Sequence, residues 1–169
     1  EPYLLGGEHE FGLRAGTHNI PGIVGFAKTM ELRKNEMYEE AKKLTYLRDK
    51  LITEALEIPE TYLNGHPTKR LPNNINLRFL YIEGESLVIS LDMQGISASS
   101  ASACSSRTEE ASRILLALGI PPVEARGPLR ISLGKDNTEQ EINYILEVLP
   151  RIVKNIRKMS PLSPKKYRT

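Results

Sequence analysis

The residue best suited to chemistry in this sequence is the single cysteine, Cys104, which lies among very small side chains. Residues 97–106 comprise six serines, three alanines and Cys104. Such side chains lack the apolar bulk that builds a core, so we expect an open loop in which the thiol is accessible to water. An accessible thiolate is a nucleophile, whereas a lone cysteine is more often an inert small hydrophobe. Composition alone leaves both interpretations of Cys104 open.

A second candidate is the glycine-rich start of the chain, since residues 1–25 hold six of its 12 glycines. Backbone N–H groups in such a loop can cradle a phosphate, with the Thr17 hydroxyl and the Arg14 charge adding contacts. Neither Gly-x-Gly-x-x-Gly nor Gly-x-x-x-x-Gly-Lys occurs here. Spacing alone therefore predicts only a loop, followed by a helix with Pro21 in its first turn.

Metal and serine-nucleophile chemistry find little support in the sequence. The three histidines, His9, His18 and His66, do not stand at metal-ligand spacing from one another or from Cys104. The serine-rich stretch lacks the Gly-x-Ser-x-Gly elbow of serine hydrolases. We therefore predict no metal site, and we expect His66 to lie at the surface in a turn.

The elements that must position these residues can be predicted from hydrophobic spacing. Apolar residues recur every three or four positions over residues 31–58, which predicts a long amphipathic helix ended by Pro59. Its opposite face carries mixed charge, including Arg48, and is expected to be exposed to solvent. Polar and apolar residues alternate over 74–81, as in a half-buried strand, and a short helix opens at 83–85 and ends before Gly95.

The C-terminal third predicts a further strand and a further helix. Over residues 128–133 the alternation places Arg130 on the face opposite the core. Thr138 and Glu141 form a capping box at the start of the last helix, which Pro150 should kink or restart. Helices that alternate with at least two strands indicate an α/β or α+β fold.

Composition bounds the class of protein. The 169 residues, 19.0 kDa in mass and 40% hydrophobic, suffice for one ordinary domain and contain no apolar stretch that could cross a membrane. One cysteine excludes a disulfide framework and favours a reducing compartment, so we expect a cytoplasmic location.

Charge is distributed unevenly along the chain. Seven of the 23 basic residues follow Glu147 and no acidic residue does, which leaves 16 basic against 21 acidic residues in 1–147. We interpret this basic end as a solvated helix face and tail, without direct nucleic-acid binding, because no aromatic stacking pattern accompanies it.

Two motifs in this order give the sequence a family resemblance: GGEHEFGLRAGT at residues 6–17 and SSASAC at 99–104. Supporting stretches are LNG at 63–65, LPNN at 71–74, EGESL at 83–87, LALG at 116–119, RISLG at 130–134 and MSPL at 159–162. Together they make the chain resemble the C-terminal part of a pyridoxal-phosphate-dependent cysteine desulfurase of the aminotransferase class V-like family.

The resemblance implies a fold and an assembly. It implies the small domain of the aminotransferase-like α/β fold, with a mixed sheet packed with helices, a long linking helix and an obligatory homodimer. Residues 1–25 would form the interface and phosphate loop, and residues 26–169 the small domain, with the cysteine loop at 97–108. The lysine that forms a Schiff base with the cofactor is expected upstream of Glu1, so this chain alone is expected to be inactive.

The resemblance also implies residue roles. Cys104 matches the cysteine that takes sulfur from L-cysteine as a persulfide, with L-alanine leaving, and passes it to an iron–sulfur scaffold or another sulfur-acceptor protein. Arg130 matches the arginine that binds the substrate carboxylate, a task suited to a guanidinium fork. Thr17 matches the threonine that contacts the cofactor phosphate of the neighbouring subunit.

Two alternatives accompany the desulfurase interpretation. The chain could be a non-catalytic persulfide carrier or binding module that works with a separate cofactor-binding chain. It could also belong to a selenocysteine lyase or to a desulfurase that serves tRNA thiolation.

Overall fold

A computed structural model describes residues 3–100 and 112–167 of the chain. The chain divides into two compact units, Glu1–Glu39 and Glu40–Thr169. The elements are the helices α1 (Ile20–Ala55), α2 (Gly84–Asp92), α3 (Arg113–Ala117) and α4 (Glu139–Met159), and the strands β1 (Thr61–Leu63), β2 (Asn74–Phe79) and β3 (Pro128–Ser132).

The three strands form one sheet in the order β1-β2-β3, and both pairings are antiparallel. The expected α/β class is confirmed, since helices pack against a sheet. The expected sheet was a mixed one, and within the described ranges only antiparallel pairs form. Because β1 and β2 are neighbours both in the chain and in the sheet, the loop of residues 64–73 connects them without a crossover helix.

The core lies on one face of this sheet. Along β2 the residues Ile75, Leu77 and Phe79 are fully buried, and the polar residues between them are only partly covered. Buried leucines and isoleucines of α2, of α4 and of the second half of α1 belong to the same apolar cluster. The sheet therefore carries helices on its apolar face, and its other face is left to polar side chains.

Helix α1 begins earlier than the predicted 31–58, with Pro21 in its first turn as expected, and it ends at Ala55, before Pro59. Its charged face is also less exposed than the spacing indicated. Arg48 is buried, pairs with Asp49 at 2.7 Å and donates to the Leu71 carbonyl at 3.0 Å. By contrast, no described residue between 3 and 39 is buried.

Helix α4 starts at the predicted capping box, in which the Glu141 amide donates to the Thr138 hydroxyl and the Thr138 amide donates to the Glu141 carboxylate. It continues through Pro150 to Met159, so the expected restart is wrong. Leu149 and Val153, on either side of the proline, are both buried. Their packing offsets the one hydrogen bond that proline removes.

One residue of the basic end is part of the core. Arg157 is 3% exposed and donates to the carbonyls of Pro59, Glu60 and Leu80 at 2.7, 3.1 and 3.1 Å. Burial lowers the pKa of its guanidinium. The expectation of a fully solvated basic face is therefore wrong at this position.

Within the described residues, no helix is both long enough and apolar enough to span a bilayer.

Candidate active site

Arg130 projects from the polar face of β3, as the alternation predicted. Its neighbours Leu129 and Ile131 are 0% and 6% exposed, whereas Arg130 itself is exposed. Its guanidinium makes no hydrogen bond to any residue of the described ranges. An exposed donor-only side chain on a rigid strand is available to an anionic ligand.

The backbone of Arg130 is tied to the start of the cysteine-bearing stretch. Ser99 and Arg130 form an antiparallel bridge, in which the Arg130 amide donates to the Ser99 carbonyl at 2.7 Å and the Ser99 amide donates in return at 3.0 Å. Cys104 itself lies outside the described residues. The structure therefore brings the first part of its stretch to Arg130.

Close packing also holds this stretch near the N-terminus of α2. Ser100 is 8% exposed, which differs from the open loop expected for the whole stretch. A Cβ built at Gly84 would lie 3.2 Å from the Cβ of Ser100 and 2.7 Å from the Pro128 carbonyl oxygen. Small residues at 84 and 100 thus allow α2, β3 and the start of the cysteine stretch to meet.

The polar face beside Arg130 contains an ordered amide network that the sequence did not predict as part of a site. Asn76 is the cross-strand partner of Arg130. Its side-chain oxygen accepts from Asn64 Nδ2 at 2.8 Å, and Asn64 Oδ1 accepts from Arg78 Nη1 at 3.0 Å. The alternation along residues 74–81 placed Asn76 and Arg78 on one face, but only the strand register identifies Asn76 as the neighbour of Arg130.

Thr17 lies in the first unit, in a loop whose backbone uses positive φ angles. Gly12 and Gly16 have φ values of 78° and 98°, a region that glycine occupies without strain. The guanidinium of Arg14 donates to the Thr17 carbonyl at 3.4 Å and lies 3.6 Å from the Glu10 carboxylate. The Thr17 side chain is exposed, and its hydroxyl has no partner among the described residues.

Among the described residues, neither a metal cluster nor the groove in the second unit provides an alternative candidate for the active site. Across 3–100 and 112–167 no cluster of His, Cys, Asp and Glu could hold a metal ion, and His66 is exposed in a turn, as predicted. A groove of about 500 Å³ lies between the end of α1 and α4, over Ile58 and Pro150. Neither Arg130 nor Thr17 lines it, so we assign no role in the reaction to this groove.

Comparison with known proteins identifies the family. Residues 6–145 match the family model described as aminotransferase class-V, and the chain belongs to this family. It is 54% identical over 162 residues to a protein named cysteine desulfurase IscS 1 from Archaeoglobus fulgidus, covering 96% of this chain and 42% of the relative. It is 52% identical to cysteine desulfurase IscS from Methanosarcina thermophila, covering 100% of this chain and 42% of the relative.

Solved structures agree with this assignment. A structure titled NifS-like protein superimposes with a TM-score of 0.77 at 35% identity, covering 91% of this chain and 39% of that one. The cysteine desulfurase CsdA of Escherichia coli shares the fold, with a TM-score of 0.68 at 18% identity over 87% of this chain and 34% of that one. The chain thus spans about two-fifths of the length of the relatives that it matches.

Proposed function

We propose that the full-length protein containing this chain is a cysteine desulfurase, which converts L-cysteine into L-alanine and leaves the sulfur as a persulfide on Cys104. The observation that carries the proposal is the bridge between Ser99 and Arg130, which joins the stretch bearing the only cysteine to a strand bearing an exposed arginine. Among residues 3–100 and 112–167 the guanidinium of Arg130 has no hydrogen-bond partner. The names of the relatives, which match almost the whole chain, support the same reaction.

In this proposal Arg130 binds the carboxylate of L-cysteine and holds the substrate in one orientation. Its planar fork can donate two parallel hydrogen bonds to a carboxylate, and its place on a strand limits its movement. The Cys104 thiolate attacks the substrate sulfur. The S–S bond of a persulfide forms, the C–S bond of the substrate breaks, and the carbon takes up a proton as L-alanine leaves.

Pyridoxal phosphate is the cofactor that we propose for this reaction, as the resemblance implies. The described residues fit its phosphate, since the Thr17 hydroxyl, which has no hydrogen-bond partner within 3–100 and 112–167, lies in a glycine-containing loop with the cationic Arg14. When bound, this cofactor serves as an electron sink that weakens the bond to the substrate sulfur. No lysine in the chain stands in the family's Ser-Ala-His-Lys context, so we place the Schiff-base lysine outside this sequence.

The homodimer and the division of the chain are part of the same proposal. Residues 1–25 would form the interface and phosphate loop, with Thr17 contacting the cofactor of the neighbouring subunit, and residues 26–169 would form the small domain. The exposed apolar side chains in the first unit, among them Ile23, Phe26 and Met30, support a surface that further protein covers.

Sulfur would leave the enzyme by transfer from Cys104 to an iron–sulfur scaffold or another acceptor protein. Exchange at a persulfide depends on the access of the attacking thiol. Residues 97–106 are all serine, alanine or cysteine, a composition that favours access to the Cys104 thiol. We place this transfer in the cytoplasm, without direct binding of nucleic acid.

The decisive experiment measures sulfide and L-alanine released from L-cysteine, with a reductant, by the full-length protein loaded with pyridoxal phosphate. We expect both products from the native protein. Cys104→Ser should bind L-cysteine but lose sulfide release. Equal release by the native protein and Cys104→Ser would refute the proposed role of Cys104, and no release of either product by the native protein would refute the desulfurase activity.

The chain of 169 residues, tested in the same way, should release no sulfide. A sulfur adduct on Cys104, found by intact mass after incubation of the chain with an active desulfurase and L-cysteine but without added cofactor, would favour the carrier function instead.

A further inference from the structure

The inference concerns Asn76, which lies directly opposite Arg130 on the polar face of the sheet. Side chains of directly opposed residues in an antiparallel pair have Cβ atoms about 5 Å apart and project from the same face. Asn76 is thus the residue of β2 placed to touch a ligand held by Arg130.

The orientation of the Asn76 amide follows from the donors that face it. A guanidinium can only donate hydrogen bonds, so the Asn64 atom that receives Arg78 Nη1 at 3.0 Å must be the oxygen. The other end of the Asn64 amide is then the NH2 group, which donates to Asn76 at 2.8 Å. The Asn76 atom that accepts must be Oδ1, and the atom left over is Nδ2 with its two hydrogens.

The start of this network is itself held in place. Arg78 Nε donates to the Glu124 carboxylate at 3.3 Å, and its guanidinium lies 4.6 Å above the centre of the Tyr62 ring. Asn64 is 4% exposed, and its backbone amide donates to the Asn76 carbonyl at 2.9 Å. With Arg78 and Asn64 both fixed, a flip of the Asn76 amide would lose the hydrogen bond from Asn64.

We propose that Asn76 is a second carboxylate-binding residue, whose Nδ2 donates to the substrate carboxylate held by Arg130. This inference rests on the proposed function, because Arg130 defines the ligand. Asn76 Nδ2 has no acceptor within the described ranges, and Arg130 beside it offers only donors. Two neighbouring donor groups without an acceptor between them are complementary to an anion with two oxygens.

The experiment compares L-alanine with L-alaninamide as ligands of the full-length protein loaded with its cofactor, by calorimetry. The two ligands differ only in that a neutral amide replaces the carboxylate, so the ratio of their dissociation constants reports recognition of the charge. Asn76→Ala should lower the preference for L-alanine about tenfold, the usual effect of losing one hydrogen bond to a charged group.

A matched control lies two residues away on the same strand and the same face. Asn74 opposes Ser132, and its side chain has no hydrogen bond to a described residue, so Asn74→Ala should leave the preference unchanged. Should Asn76→Ala fail to fold, Asn76→Ser keeps a polar group on the strand but is too short to reach the ligand. It should show the same loss.

The Arg130→Ala background separates direct binding from an effect transmitted through Arg130. In that background, Asn76→Ala should still lower the remaining preference for L-alanine if Asn76 donates to the ligand itself. If Asn76→Ala causes no further loss of preference there, the proposal is wrong. If Arg130→Ala lowers the preference but Asn76→Ala in the native background does not, the role of Asn76 is wrong and that of Arg130 stands. If Arg130→Ala has no effect, the carboxylate site of the proposed function is wrong, and the role of Asn76 falls with it.

Discussion

The backbones of Ser99 and Arg130 exchange two hydrogen bonds, of 2.7 and 3.0 Å. The start of the cysteine-bearing stretch is therefore paired with the strand that carries Arg130, the candidate carboxylate-binding residue. Cys104 follows Ser99 by five residues. The pairing therefore places the start of the cysteine-bearing stretch beside the residue that we propose to bind the substrate carboxylate.

Arg130→Lys should raise the KM for L-cysteine about tenfold or more in the full-length protein, with a smaller change in kcat. Lysine keeps the charge but cannot donate two parallel hydrogen bonds to one carboxylate. Steady-state kinetics would measure both constants. Arg126→Lys, an exposed arginine four residues away, serves as the control. An unchanged KM in Arg130→Lys would contradict the assignment.

Arg157→Gln should lower the free energy of unfolding of the chain by about 2–4 kcal/mol, because three backbone carbonyls lose the buried guanidinium that donates to them. Urea unfolding followed by circular dichroism would measure it. Arg151→Gln on the same helix is the matched control, since Arg151 pairs with Glu147 at an exposed site and its loss should cost less than about 1 kcal/mol. Equal costs for the two variants would mean that Arg157 does not bind these carbonyls.

Gly84→Ala should destabilise the chain by about 1–3 kcal/mol, because the added methyl group meets the Pro128 carbonyl and the Ser100 side chain. Gly25→Ala offers the opposite case. Gly25 lies inside α1 with open space around its Cβ position, so alanine there should stabilise by up to about 1 kcal/mol. Thermal unfolding of the two variants should move in opposite directions, and a shift of the same sign would refute the packing argument at Gly84.

Glu141→Gln should reduce the loss of stability in acid. The backbone amide of Thr138 and then the Asn137 side chain donate to the Glu141 carboxylate and hold its pKa below the usual 4.5. A carboxyl group with a lowered pKa in the folded state stabilises the protein above its unfolded pKa, and this contribution is lost as the pH falls through the folded pKa. The urea midpoint should therefore fall less between pH 5 and pH 3 in Glu141→Gln than in the native chain.

Glu147→Gln on the same helix gives the comparison for a carboxyl group outside the capping box. If Glu141→Gln follows the native pH profile, the capping box does not contribute to acid sensitivity.

Local patterns predicted those parts of the fold that depend on neighbouring residues. The alternation in β2 and β3 and the capping box at Thr138 are examples, because each is a property of a few consecutive positions. Strand β1 has only three residues and exists through its pairing with β2, so it has no pattern of its own. The sequence predicts that Pro150 kinks or restarts α4, but the helix does not restart, because buried residues on both sides of Pro150 hold it against the core.

In the candidate site, too, local patterns predicted some features, and others depend on residues that are distant in the chain. The alternation was enough to place Arg130 on the polar face of its strand. The pairing of Arg130 with Asn76 depends on the register between two residues that lie 54 positions apart in the chain, which no local pattern contains. The expectation that Arg48 and Arg157 are solvated is wrong for a related reason, because the carbonyls that they bind belong to distant segments.

The position of α4 in the chain affects how the protein folds during synthesis. When β1, β2 and α2 have left the ribosome, the carbonyls of Pro59, Glu60 and Leu80 still lack the guanidinium that binds them, because Arg157 comes 97 residues after Glu60. The apolar face of the nascent sheet also lacks Ile142, Ile145, Leu149 and Val153. The second unit therefore reaches its native packing only after residue 157 has been translated, and until then the apolar residues that α4 covers stay exposed, a state prone to aggregation.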